Sequence, residues 1–132
     1  MVRILFLGEV TGRPGIAALK AGLPSLKQEL NIDYTVANAE GMTNGFGLGK
    51  QHSLQLAKLG VDLITGGEKL FYKIDMVDFI AHASFILRPA NYPPSCPGRS
   101  YRIVTLKDRK FLFVSLQGNA LLTRQNLQNA FS

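Results

Sequence analysis

The sequence has a single cysteine, Cys96, so no disulfide can close within the chain. Cys96 lies among Pro93, Pro94 and Pro97, with no histidine or basic neighbour to activate it. A nucleophilic role therefore has no support, and a lone thiol fits a reducing compartment. Long apolar runs are also missing. The stretch after Arg3 is too short for a signal peptide or a membrane span, so a cytoplasmic location is expected. Lysines and arginines do not cluster along the chain, which argues against a DNA-specific motif or a dedicated nucleic-acid face. Acids are scarce. Nine Asp and Glu against fifteen Lys and Arg leave a formal charge of +6, which favours anionic partners such as nucleotides, RNA or phosphates.

At 132 residues and 46% hydrophobic composition, the chain is sized for one domain, residues 1–132, with a buried core. Residues 2–7 form an apolar run closed by Gly8, the pattern of a strand buried on both faces. Apolar residues at Ile16, Leu19, Leu23, Leu26 and Leu30 predict a helix over 16–30, which Pro24 should kink or split. Strands are expected at 34–38, 61–65 and 84–87, and helices at 52–59 and 71–81. This strand–helix alternation implies an α/β fold with a mainly parallel sheet. Residues 88–99 read as a proline-rich loop. Residues 101–106 and 110–116 flank Lys107-Asp108-Arg109 as a β-hairpin, either an antiparallel switch or the start of a second sheet. A loop over 117–123 and the start of a helix over 124–131 complete the reading.

Chemistry concentrates where the strands end. Glu9, Glu40 and Glu68 each follow a strand's last apolar residue beside glycine. In a parallel sheet those ends share one edge, where α/β folds place their sites. Three converging carboxylates repel one another unless a cation lies between them, and the candidates are a divalent metal or Lys69. The other reading is three solvated loop acids with no common target. Gly41, Gly45, Gly47 and Gly49 in the second loop permit close backbone approach to a neighbour. His52 and His82 fall in or beside predicted helices and read as ordinary histidines away from the loops.

These segments resemble the YmdB-like metallophosphoesterases of the calcineurin-like phosphoesterase superfamily. The resemblance runs from Met1 to about Leu122. Residues 8–15 match the family's Gly-Asp-Val-x-Gly-x-x-Gly, residues 38–41 its Asn-Gly-Glu-Asn, and residues 67–69 its Gly-Asn-His. Arg88-Pro89-Ala90-Asn91-Tyr92-Pro93 matches Arg-Pro-Ala-Asn-Phe-Pro, and Leu116-Gln117-Gly118 matches a following Leu-Gln-Gly. The resemblance implies an αββα sandwich of which this chain is the truncated, N-terminal half. It also implies phosphodiester hydrolysis of the 2′,3′-cyclic nucleotide class, with a hydroxide held by two metals attacking phosphorus.

The metal positions carried over are Glu9, Glu40 and Glu68, and Lys69 stands at the catalytic histidine's place. Asn38, Gly41, Arg88 and Asn91 are the positions expected to face substrate. Manganese, iron, magnesium or zinc would be the cofactor of an active form, and an inactive one needs none. The chain departs from the pattern at most of these places. Glu9 stands for Asp, Gly41 for a ligating Asn, Glu68 for Asn and Lys69 for His, and later histidines are absent. A protonated Lys cannot ligate a metal. Degenerate ligands therefore imply a weak or inactive enzyme, or a non-catalytic nucleotide- or protein-binding relative. Lys69 could instead neutralise the three glutamates without a metal, so that Lys69→Met would destabilise the fold. Half a sandwich exposes sheet surface, so a homo-oligomer or a partner chain is expected.

Overall fold

The structure is a computed structural model and describes residues 1–118. The loop and helix expected beyond them, to residue 131, lie outside the described residues. The described elements are β1 (Ile4–Leu7), α1 (Gly12–Glu29), β2 (Tyr34–Asn38), α2 (Lys50–Lys58), β3 (Leu63–Thr65), α3 (Ile74–Ile80), β4 (Ile86–Leu87), β5 (Tyr101–Leu106) and β6 (Arg109–Val114). β1 to β4 form one parallel sheet in sequence order, and β5 and β6 pair as a separate antiparallel hairpin. The α/β reading holds, and the hairpin opens a second sheet.

Sequential strand order with right-handed crossovers places all three helices on one face of the sheet. That face carries Ala37, Ile64 and Ile86, packed with Ile16 and Leu23 of α1, Leu56 of α2, and Met76 and Ile80 of α3. The opposite face carries Tyr34, Val36, Leu63 and Leu87, and the hairpin covers it with Val104, Leu106 and Phe113. Tyr34 stacks on Phe113 with ring centres 5.1 Å apart.

Two expectations are corrected. β1 is an edge strand and is not buried on both faces: Phe6 is 62% exposed, because the hairpin covers β2 to β4 and leaves it open. Pro24 does not split α1, which runs unbroken from Gly12 to Glu29. Proline removes its own N–H bond and crowds the carbonyl one turn back, and packing of the buried Ile16 and Leu23 acts in favour of the continuous helix.

The hairpin turns at Lys107 and Asp108, both at positive φ (47° and 66°), the geometry of a two-residue type I′ turn. Lys107 also holds Asp33, which precedes β2, at 2.8 Å and so pins the turn to the parallel sheet. The hairpin's outer face presents Tyr101, Ile103, Leu112 and Val114 exposed. No described helix is long and apolar enough to cross a membrane.

Candidate functional site

Parallel strands bring the loops after β1, β2, β3 and β4 to one sheet edge. Main-chain bonds then lock the first two loops together: Val10 N–H donates to Asn38 C=O at 2.8 Å, and Gly12 N–H to Gly41 C=O at 3.3 Å. Asn38 turns the second loop, its Oδ1 accepting from Glu40 N–H at 3.2 Å.

Glu40 is the hub. Its Oε1 accepts the N–H of Gly67 and, at 3.1 Å, the N–H of Lys69. One carboxylate thus ties the loop after β2 to the loop after β3. Burial pushes the Glu40 carboxyl above its usual range; the two N–H bonds pull it back, and the charges of Glu68 and Glu9 push it up again. The three glutamates therefore share one electrostatic neighbourhood. They do not form a coordination shell: among the described residues no group of three or more His, Cys, Asp or Glu is placed to hold a metal ion.

Glu9 and Gly41 are reciprocal. A Cβ at residue 41 would lie 2.6 Å from Glu9 Oε1 and 3.2 Å from Thr11 Oγ1. The space a side chain at 41 would occupy is therefore filled from the first loop. Gly47, at φ +79°, approaches the loop after β3 just as closely, since a Cβ there would meet Lys69 O at 2.9 Å. Gly41 and Gly47 thus permit close approach to neighbouring loops, whereas a Cβ at Gly45 would meet open space and one at Gly49 would meet Thr43 of its own loop.

Lys69 is turned to an aromatic ring of the second loop. Its ammonium stands over the Phe46 ring, 5.7 Å from the centre, and makes no ion pair with Glu9 or Glu40. Main-chain N–H groups already satisfy Glu40, which removes the need for that cation.

The Arg88–Tyr92 segment acts as scaffolding. Asn91 is buried; its Nδ2 donates to Gln117 O at 2.7 Å and its Oδ1 accepts from Gln117 N–H at 2.9 Å. Tyr92 donates its hydroxyl to Gly67 O at 3.0 Å, and Ser115 does the same to Gly66 O at 2.9 Å. Arg88 is buried, with Nη1 donating to Pro89 O and a buried Nε that makes no hydrogen bond among the described residues. Arg88 and Asn91, two of the positions expected to face substrate, thus lie beneath the loop surface.

Sequence reasoning set His52 apart from the loops. Its Nδ1 lies 2.8 Å from Thr43 Oγ1, and that oxygen also accepts from Gly49 N–H. His52 therefore braces the second loop from the first turns of α2. No local sequence signal marks Thr43 as its neighbour, because the contact depends on the fold of the glycine-rich loop.

A profile of the family described as YmdB-like protein matches residues 5–132. The chain is 34% identical over 121 residues to the 2′,3′-cyclic-nucleotide 2′-phosphodiesterase of Bacillus subtilis, covering 92% of this chain and 46% of that one. Among solved structures it resembles a novel phosphatase from Mycoplasma pneumoniae (TM-score 0.90, 29% identity, 98% of this chain and 48% of that one). It also resembles a hypothetical protein from Thermus thermophilus (TM-score 0.89, 28% identity, 98% and 50%). The chain spans about half the length of these relatives.

Proposed function

The chain belongs to the YmdB-like protein family, and we propose that it is one half of a phosphodiesterase domain of the 2′,3′-cyclic-nucleotide class, weak or inactive as this chain alone. The relatives' names supply the reaction class. The reciprocity of Glu9 and Gly41 supports the loss of activity. The family resemblance implies a metal pair, and the described residues do not fit one. Residue 41 contributes no side chain, Glu40 Oε1 is taken by two main-chain N–H groups, and Lys69 brings positive charge where an imidazole is expected. Elemental analysis after growth with manganese, iron and zinc, followed by an assay on 2′,3′-cyclic AMP, tests this reading. We expect less than one metal per chain and no turnover above background. Two metals per chain with turnover would overturn it.

A second reading is a non-catalytic nucleotide- or protein-binding relative working as a homo-oligomer or with a partner chain. Exposed Phe6 and the outward hairpin residues Tyr101, Ile103, Leu112 and Val114 favour it, since such surface is stabilised by being covered. A monodisperse monomer in light scattering at micromolar concentration would count against it.

A further inference from the structure

We propose that the groove between α1 and α2 is a phosphate track for a single-stranded oligonucleotide, leading away from the strand-end loops. The groove has a volume of about 330 Å³ and is lined by Arg13, Ile16, Ala17, Lys20, His52 and Gln55. Its lining contains two cations, Arg13 and Lys20, one histidine and no acid. The positive charge comes from α1, and α2 supplies the facing wall with His52 and Gln55. Together α1 and α2 carry four of the chain's six net positive charges, with Glu29 at the far end of α1 as their one acid. Lys27, also at that far end, is neutralised by Asp62. Arg13 and Lys20 form no ion pair among the described residues.

The groove's geometry points to a strand. Helices that follow parallel strands begin at the loop edge, so Arg13, Ile16 and His52 lie nearest the site and Lys20 further out. Both walls are bonded to the loop after β2, through Gly12 N–H to Gly41 C=O and through His52 to Thr43. Arg13 and Lys20 are two turns apart on one helix, about 10 Å along its axis. At ~3.4 Å per nucleotide in a stacked strand, that spans about three phosphates. Ile16 and Ala17 between them give the floor an apolar surface. A mononucleotide at the loops would leave the outer end of this groove uncontacted. An oligonucleotide would use it, which extends the phosphodiester reading by naming the length of its substrate.

Fluorescence anisotropy on the full chain tests this, using a fluorescein-labelled oligouridylate of eight nucleotides as the probe. The double variant Arg13→Glu/Lys20→Glu is compared with Lys58→Glu/Lys110→Glu, which makes the same charge change at exposed positions outside the groove. We expect the groove variant to lose at least tenfold more affinity than the control. Its log K against log salt should flatten by more than one relative to wild type, because Arg13 and Lys20 together account for about −1.4 of the slope on a single strand. Equal losses in the two variants would overturn the proposal, because bulk charge alone would then hold the strand. An equal loss of affinity for 2′,3′-cyclic AMP in the groove variant would also overturn it, by placing Arg13 and Lys20 within the mononucleotide site. Binding that follows the expected pattern without any hydrolysis would support the proposal, since this chain alone is expected to be inactive; hydrolysis alongside it would overturn that inactivity and leave the groove standing.

Discussion

Substituting Glu9 and Gly41 by alanine, singly and together, should expose a coupling that neither residue shows alone. Gly41 is not at positive φ, so alanine fits its backbone. In isolation Gly41→Ala should stabilise by about 0.4–1 kcal/mol, through the smaller entropy of the unfolded chain. With Glu9 present, the new Cβ would stand 2.6 Å from its Oε1, and the carboxylate must leave its position. The atom displaced is the end of an exposed, flexible side chain, so the cost is a poor rotamer, about 0.5–1.5 kcal/mol. The two effects nearly cancel in the single variant. In the Glu9→Ala background only the gain remains, reduced a little by Thr11, whose Oγ1 would be 3.2 Å away. A coupling energy of about 0.5–1.5 kcal/mol follows, read from urea unfolding of the four proteins at constant m. Additivity within ~0.3 kcal/mol would refute the claim that Glu9 fills the space of a side chain at 41. If the coupling is found, Glu9→Asp/Gly41→Asn should raise manganese affinity more than either change alone.

Three further outcomes are expected. Gly98→Ala should destabilise by about 2–5 kcal/mol in urea unfolding, because φ +94° disfavours a Cβ (about 1–2 kcal/mol) and the new atom would meet buried Ile80 at 2.9 Å (about 1–3 kcal/mol); a loss below ~1 kcal/mol would contradict the packing. Lys69→Met should cost less than ~1 kcal/mol by the same assay, the scale of an exposed cation–π contact, and a larger loss would revive an ion cluster around the glutamates. Lys107 and the Arg3 N–H hold the Asp33 carboxyl below its ordinary value of 3.8. The folded chain therefore releases that proton more readily than the unfolded one, so the pair's contribution is present above pH 3.8 and fades as pH falls through it. The stability difference between wild type and Asp33→Asn should shrink between pH 5 and about pH 3, and a difference that stays flat would remove the Asp33–Lys107 pin.

What the sequence makes legible here is what local pattern controls. Strand order and the hairpin follow from apolar runs and turn residues within a few positions of each other, and the structure agrees to within a few residues at most ends. The convergence of Glu9, Glu40 and Glu68 was legible too, because a parallel sheet puts successive strand ends on one edge. What was not legible depends on distance in sequence. Glu9 meets the space over Gly41, and Glu40 reaches the N–H of Gly67, only after the strands pair. The apolar run of β1 reads as doubly buried, yet burial of its outer face depends on what lies across the sheet, and the hairpin does not reach Phe6.

The same distinction governs the charges. Sequence proximity makes Lys69 one candidate cation for the three acids, but backbone N–H groups reach Glu40, and the ammonium stands over Phe46. No short window of the sequence holds Arg13, Lys20 and His52 together, and two helices set side by side do. Charge near these loops is therefore partitioned by the fold. Main-chain donors satisfy the hub carboxylate, and the side-chain cations are directed outward along the helices. Binding of an oligonucleotide and hydrolysis therefore each need their own measurement.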